Sequence, residues 1–166
     1  MDPNIFPVAW RPLFIWAEQS ALGTMVRDSI WQFAAVEAVH LLALSVIGGA
    51  VLIVDLRLLG FGLHTQPIAD LAREARPWLA GSLIVMLVTG VGLFLSEPMK
   101  CYASAAFAVK MICLVLAIVF TFTVRTKVTM AGEGRVRPRW LKLVALVSLA
   151  LWFGVAASGR WIGFSS

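Results

Sequence analysis

The sequence is short of charge, of cysteine and of histidine. Only 14% of its 166 residues are charged while 60% are hydrophobic, whereas a soluble domain is about 25% charged. Cys101 and Cys113 are too few for a disulfide framework. The two histidines, His40 and His64, lie too far apart to complete a zinc or di-iron ligand set. These shortages exclude a soluble domain and a disulfide scaffold, and they indicate an integral membrane protein.

Several functional signatures are also missing. There is no glycine-rich phosphate loop, so chemistry of the soluble-enzyme kind is not expected. The start "MDPNIFPVAW" lacks the basic region and cleavage site of a secretory signal, so the first apolar span is predicted to remain in the protein. The formal charge is +5, but the basic residues cluster at membrane boundaries and not in a stripe with aromatics. No nucleic-acid partner is therefore expected.

Long apolar runs dominate what is present. Because only helices or closed barrels satisfy backbone polar groups in lipid, and no segment alternates at the barrel period, these runs predict helices. We predict an all-α, integral membrane four-helix bundle in which residues 30–166 form one domain after an N-terminal interfacial segment, residues 1–29. The predicted spans are about residues 31–60, 79–96, 104–125 and 140–159.

The segments outside the spans carry weaker helical patterns. Leu13, Trp16 and Ala17 follow Pro12 at helical spacing, which is typical either of an amphipathic helix on the membrane surface or of an ordinary leader to the first span. The first connection, "HTQPIADLAREARPW", predicts a short surface helix whose arginines contact lipid headgroups.

The basic residues are divided unequally between the two sides of the membrane. Four of them lie on the side that holds both chain ends and the second connection, which we call the terminal side. Nine lie on the other side, called the basic side, and Lys110 lies inside the third span. The positive-inside rule makes the basic side cytoplasmic and puts both termini outside, in a bacterial inner membrane.

Three ionisable groups lie in the terminal-side half of the predicted spans, away from the span ends. Glu37 and His40 are one helical turn apart in "VEAVHLLAL", and Lys110 lies at a similar depth, about 10–15 Å from the terminal side. An ionised side chain at this depth costs about 2.5–3.5 kcal/mol, so it needs a partner. Glu37 and Lys110 are therefore predicted to form a buried pair with His40 nearby. Near the other end of the span, Asp55 is expected to pair with Arg57 or a basic-side arginine.

The leading functional hypothesis is a haem b-binding redox or electron-transfer protein with His40 as an axial ligand. The second ligand would be Met86 or Met111, a His40 from a second subunit, or an open position, because His64 is out of reach. Lys110 and Arg160 would neutralise the propionates. Trp152, together with the glycines of the second and fourth spans, would shape the slot; those glycines are Gly90, Gly92 and Gly154.

Other hypotheses explain the same residues. The polar layer could serve packing alone in a non-enzymatic membrane subunit or anchor of a larger complex, or in a homo-oligomer. Alternatively, Glu37, His40 and Lys110 could belong to a proton or ion path, although the basic-side half of the first span offers little continuation.

Four stretches carry a resemblance to a known family: "VEAVHLLAL…VDLRLLG", "VTGVGLFLSEP", "AAFAVKM" and "GRWIGF". From about Leu22 onward the chain resembles small bacterial four-helix membrane proteins that form a family of unknown function. It is more distantly similar to bacterial membrane protoporphyrinogen oxidases and copper-resistance D proteins, through His40, Arg57 and Lys110. The resemblance to the oxidases implies haem b.

The predicted topology can be tested at the C-terminus. A cysteine introduced as Ser166→Cys should react with a membrane-impermeant thiol reagent from outside the cell, because the positive-inside rule places both termini there. Reaction only from the cytoplasmic side would reverse the assigned orientation.

Overall fold

The computed structural model describes residues 6–62, 66–131 and 136–163, and all the regular elements within them are helical. In chain order these are a 3₁₀ turn (Val8–Trp10), α1 (Arg11–Glu18), α2 (Ala21–Asp28), α3 (Ile30–Leu59), α4 (Ile68–Ser96), α5 (Pro98–Ala103), α6 (Ala105–Phe120), a π-turn (Thr121–Arg125), α7 (Thr126–Met130) and α8 (Pro138–Ile162). The helix runs without a break from α6 through the π-turn to α7, so Ala105–Met130 is one span, which we call the third span.

Four of these helices are long and apolar enough to cross a membrane: α3, α4, the third span and α8, with 30, 29, 26 and 25 residues. A bilayer core requires about 20 residues. The chain is therefore a multi-pass membrane protein with an all-α fold, and this prediction is confirmed.

Local signals explain where the first long helix begins and ends. The side chain of Ser29 accepts a hydrogen bond from the backbone N–H of Gln32, which satisfies one of the free donors of the first turn. Gly60 adopts a φ of 90°, which costs a glycine little, and it closes α3. These caps account for an observed helix, Ile30–Leu59, that differs by one residue from the predicted span.

The surface helix predicted in the first connection is not a separate element. It forms the first turns of α4, which continues through Pro77 as far as Ser96. Ile68 and Leu71 are buried against Val54 and Leu58 of α3, so the apolar face that begins here carries on into the membrane. Tertiary packing of this face overrides the helix-breaking tendency of proline.

The four spans form a bundle in which α3 adjoins α4 and α8, and α6 adjoins α8. At the basic side, α7 packs against α4. The first and third spans therefore lie across a diagonal of the bundle. An apolar core fills the middle of the bundle and contains Ile47, Val51, Leu83, Met86, Leu114, Ala117, Trp152 and Val155.

A buried ion pair crosses this diagonal near the basic side. Nε of Arg125 lies 2.7 Å from Oδ1 of Asp55, and Nη2 of Arg125 donates to the carbonyl oxygen of Val51 at 3.2 Å. Asp55 is 0% and Arg125 6% exposed. Asp55 therefore pairs with a basic-side arginine, one of the two expected partners, while Arg57 donates to the carbonyl oxygen of Gln66.

The π-turn keeps Arg125 directed at this pair. Buried residues recur every four positions along the third span, at Ala117, Thr121, Arg125 and Thr129. In a regular α-helix, four residues advance about 40° beyond a full turn, so such a series would drift off the buried face. The wider π-turn absorbs this excess. The carbonyl oxygen of Thr121 accepts hydrogen bonds from both the backbone N–H and the hydroxyl of Thr126, the latter at 2.8 Å.

The N-terminal helices pack on the terminal-side end of the bundle. Phe14 and Ala17 of α1 are buried, whereas Leu13 and Trp16 are exposed apolar residues. In α2, a Cβ on Gly23 would overlap the carbonyl oxygen of Leu95, so this close contact with α4 requires glycine. That the exposed face of α1 lies on the membrane surface stays a prediction.

Arg125→Met is expected to lower the free energy of unfolding by about 3–5 kcal/mol, because it leaves the carboxylate of Asp55 buried without a counter-charge. Combining it with Asp55→Leu should recover much of the loss. Chemical unfolding in detergent measures both effects. Lys127→Met is the matched control, since Lys127 is an exposed base two residues along the same span. Simple addition of the two single effects would show that Asp55 and Arg125 are not coupled.

Candidate functional site

Three spans contribute to a polar cluster in the terminal-side half of the bundle. Nδ1 of His40 on α3 lies 2.9 Å from the hydroxyl oxygen of Thr89 on α4. On the other edge of the ring, Nε2 lies 3.5 Å from Nζ of Lys110 on α6. His40 is buried and Lys110 is half-buried. We call Thr89, His40 and Lys110 the polar centre.

We assign the direction of each bond in the polar centre from the donors and acceptors around it, because either ring nitrogen of a histidine can carry the proton. The hydroxyl of Thr89 has one proton, which it donates to the carbonyl oxygen of Val85 at 2.7 Å. Its oxygen therefore accepts the bond from Nδ1–H of His40. The lone pair of a neutral imidazole then lies on Nε2, where the ammonium group of Lys110 can donate to it. At 3.5 Å this second contact is at the outer limit of a hydrogen bond.

Two glycines border the polar centre, and at Gly90 an added side chain would press against the imidazole. A Cβ on Gly90 would lie 3.2 Å from Cε1 of His40, and a Cβ on Gly159 would lie 3.5 Å from Nζ of Lys110. Of the glycines predicted to line a slot, Gly90 borders the imidazole, whereas Gly92 borders Val36 and Gly154 borders the thiol of Cys113.

The structure does not bring Glu37 and Lys110 together. Glu37 lies on the exposed face of α3, and no ion pair within the described ranges joins it to Lys110. The physical reason is that α3 and α6 lie across the diagonal of the bundle, so the residue of α3 that meets Lys110 must point inward. His40 does so, and Glu37, one turn earlier, does not.

The other residues predicted for a haem site have varied surroundings. The carbonyl oxygen of Met86 lies 3.2 Å from the hydroxyl oxygen of Thr89, so the backbone of Met86 borders the polar centre. Met86 is 2% exposed within the apolar core, and Met111 is 40% exposed. The indole N–H of Trp152 donates to the hydroxyl oxygen of Thr121 at 3.2 Å, on the π-turn. Arg160 is exposed near the end of α8, and His64 lies outside the described residues. The structure thus brings together His40 and Lys110 from the predicted set.

A haem ligated by His40 would require this arrangement to change. The lone pair on Nε2 is presented as a metal ligand requires, with the other ring nitrogen fixed by hydrogen bonding. However, the ammonium group of Lys110 already occupies the space in front of it. The side chain of Met86 is buried in the apolar core. Within the part of the chain that is described, no three metal-binding side chains of the His, Cys, Asp or Glu type come together.

Thr89 is the member of the polar centre that the sequence analysis missed. It lies seven residues before the end of α4, and Lys110 lies five residues after the start of α6, so both are near the same depth. A depth comparison that included hydroxyl groups would have found it. Threonines in membrane helices commonly donate to their own backbone, so the sequence alone does not show that Thr89 also bonds to His40.

A cluster of aromatic rings covers the polar centre on the terminal side. Phe94 of α4 and Phe107 of α6 stack with ring centroids 5.7 Å apart. Phe14 of α1 and Tyr102 of α5 pack edge-to-face at 5.0 Å. Phe107 is one helical turn before Lys110, so this aromatic cap lies one turn further toward the terminal side.

Cys101 packs against the rings of the aromatic cap, and its thiol is unreactive. Burial, reinforced by the negative charge of Glu97, raises the pKa of this thiol to about 11. Because the thiolate is the form that binds metals and reacts with electrophiles, Cys101 stays protonated and inert at neutral pH. The cap around Cys101 is apolar apart from the hydroxyl of Tyr102, which donates to the carbonyl oxygen of Pro7 at 3.4 Å.

Thr89→Val should lower the free energy of unfolding by about 1–3 kcal/mol, because it leaves the buried Nδ1–H of His40 without an acceptor. Thr89→Ser keeps the hydroxyl and should restore most of the stability. Equal stability of the valine and serine variants, measured by chemical unfolding in detergent, would mean that this hydrogen bond does not hold the imidazole.

Comparison with known proteins agrees with the nearer of the two resemblances. No curated protein and no solved structure matches the chain significantly. The more distant similarity to protoporphyrinogen oxidases and copper-resistance D proteins therefore gains no support. A family model described as a family of unknown function, DUF6644, matches residues 13–165. The chain belongs to this family of unknown function.

Proposed function

We propose that the protein binds, in the terminal-side half of the membrane, an amphipathic molecule that carries a carbonyl or carboxylate oxygen. The observation that carries this proposal is the half-buried ammonium group of Lys110, whose hydrogen-bonding capacity is largely unused. The ligand oxygen would accept hydrogen bonds from Lys110, beside His40 and beneath the aromatic cap.

Most of the hydrogen-bond donors of Lys110 have no partner within the described ranges. An ammonium group has three N–H donors. One meets Nε2 of His40 at 3.5 Å, and no other acceptor within the described ranges lies at bonding distance from Nζ. Glu37, the acid that could have neutralised the charge, lies on the exposed face of α3. Because an ionised lysine is costly inside a membrane unless it is paired, an acceptor oxygen from a ligand would stabilise it.

His40 and Thr89 have supporting roles in this proposal. Thr89 fixes the imidazole so that Nε2 carries the lone pair. An imidazole fixed in this way can accept a proton from Lys110 or from a ligand hydroxyl and return it, which suits ligands that gain or lose protons. The aromatic cap would exclude water from the bound oxygen.

Electron transfer through haem b is a second candidate function, favoured by the lone pair on Nε2 of His40. It requires Lys110 to move away from the imidazole, because the ammonium group lies in front of the iron position. A haem supplies one-electron chemistry when it is bound. The visible spectrum of the purified protein tests it directly: a Soret band that disappears in His40→Ala supports haem, and a colourless folded protein contradicts it.

A purely structural role is the remaining candidate, favoured by the fact that Thr89, His40 and Lys110 come from three different spans. In that case the protein would be a membrane subunit or anchor, alone, as a homo-oligomer or in a larger complex. Lys110→Met would then change stability without changing the binding of any small molecule.

We also propose that the protein lies in a bacterial inner membrane with both termini outside. The excess of basic residues on one side supports this orientation: nine lie on the basic side against four on the terminal side. In this orientation the polar centre lies in the outer half of the membrane.

Ligand binding should depend on Lys110. Reconstituted protein is titrated with oleate, which carries a carboxylate, and with a decyl-substituted benzoquinone, which carries carbonyl groups, and tryptophan fluorescence reports binding. Lys110→Met should weaken the binding of at least one probe by about 10- to 100-fold, the effect of losing a hydrogen bond to a charged group. Thermal unfolding of the same samples confirms that the variant is folded.

Lys127→Met is the matched control, because Lys127 is an exposed lysine at the other end of the third span. It should bind both probes as the wild type does. Equal affinities in the wild type, Lys110→Met and Lys127→Met, or binding of neither probe to the wild type, would contradict the proposed function.

A further inference from the structure

A small cavity lies near the basic side, between α4 and the third span. Ala72, Ala75 and Arg76 line it from α4, and Arg125 and Thr126 line it from the other wall. Its volume is about 30 Å³, which holds one or two water molecules but not a larger group. The two alanines account for this cavity, because their short side chains leave the space between the helices unfilled.

Two arginines at the cavity have side-chain N–H donors without a partner within the described ranges. Two nitrogens of the Arg125 guanidinium bond to Asp55 and to the carbonyl of Val51. Its third nitrogen, Nη1, has no hydrogen-bond partner within the described ranges. Arg76 is exposed at the rim, and no ion pair among the residues described involves it. Asp55 neutralises one of the two positive charges of Arg76 and Arg125, so the mouth of the cavity carries a net charge of +1.

The position of the cavity matches the level of phosphate groups in a bilayer. Arg76 lies three residues before Leu79, where the buried apolar face of α4 resumes, and Arg125 lies five residues before the end of the third span. The third span adjoins α4 most closely at α7, and nearer the terminal side the two are joined again by the stacked rings of Phe94 and Phe107. Arg76, Phe122 and Met130 line the cavity and are exposed, so its mouth opens on the outer surface of the bundle between α4 and the third span.

We infer that the mouth of this cavity is a binding site for a phosphate group, held directly by Arg76 and through a cavity water by Arg125. Phosphate carries acceptor oxygens and negative charge, which complement the arginine donors. Basic pockets between membrane helices on the cytoplasmic side commonly bind the headgroups of anionic lipids. The same chemistry could be supplied by a lipid headgroup or by soluble phosphate. This site is independent of the polar centre, about 22 Å away at 1.5 Å per residue along α3.

The test compares Arg76→Gln with Arg73→Gln. Arg73 is an exposed arginine one turn earlier on α4 that pairs with Asp70 at 3.1 Å and does not line the cavity. Both variants remove one positive charge from the same surface helix. Each protein, full length, is reconstituted in nanodiscs of mixed phosphatidylglycerol and phosphatidylcholine. Native mass spectrometry then measures which lipid stays bound. In a second arm, inorganic phosphate is titrated into protein in a neutral detergent, and thermal unfolding is recorded.

A lipid site predicts that the wild type and Arg73→Gln retain phosphatidylglycerol in preference to phosphatidylcholine. Arg76→Gln should lose about fivefold of that preference, the effect of one basic residue near a membrane surface. A soluble-phosphate site predicts that phosphate raises the unfolding temperature of the wild type and of Arg73→Gln but not of Arg76→Gln. Equal behaviour of the two variants in both arms, or no response of the wild type in either, would overturn the inference.

Discussion

The cost of placing charge in a membrane governs the packing of this bundle. The first and third spans lie across a diagonal, yet two long basic side chains of the third span reach across to α3. Lys110 contacts His40, and Arg125 pairs with Asp55. The two contacts are 15 residues apart on both helices, from His40 to Asp55 and from Lys110 to Arg125. Because α3 and the third span cross in the same direction, equal spacing lets both contacts form in one register. Each charge thereby fixes the depth and rotation of its helix.

The two diagonal contacts differ in strength, and this difference separates structure from function. The basic-side contact is short, fully buried and reinforced by a backbone carbonyl, and the π-turn of the third span keeps its arginine in place. The terminal-side contact is long, and its lysine is only half-buried. An apolar core about two turns thick separates them, which argues against a continuous proton path through the bundle. The rigid contact stabilises the fold, while the looser one leaves the donors that the proposed ligand would use.

Much of the fold could be predicted from the sequence. Apolar runs that exceed the bilayer thickness predict the four spans, and serine and glycine caps such as Ser29 and Gly60 explain the ends of α3. Other features depend on tertiary packing. Pro77 marks a break by local rules but lies inside α4, because one apolar face continues past it. The π-turn has no sequence signature of its own, although the four-residue spacing of its buried side chains explains it.

The candidate site was only partly predictable. Depth counting correctly grouped His40 with Lys110, since depth follows from residue number alone. It could not choose between Glu37 and His40 as the partner of Lys110, because that choice depends on how α3 is rotated. Depth counting also could not show that the indole of Trp152 donates to the hydroxyl of Thr121 on the π-turn. Rotation is set by packing against α4 and α8, and a single sequence does not reveal it.

The state of the His40 imidazole tests the central claim most directly. Nitrogen NMR of the reconstituted, ¹⁵N-histidine-labelled protein can observe it alone once the other histidine is removed by His64→Gln. The account predicts a neutral ring with the proton on Nδ1, bonded to Thr89, and a lone pair on Nε2 facing Lys110. A proton on Nε2 at neutral pH, in either the other neutral tautomer or an imidazolium, would contradict it.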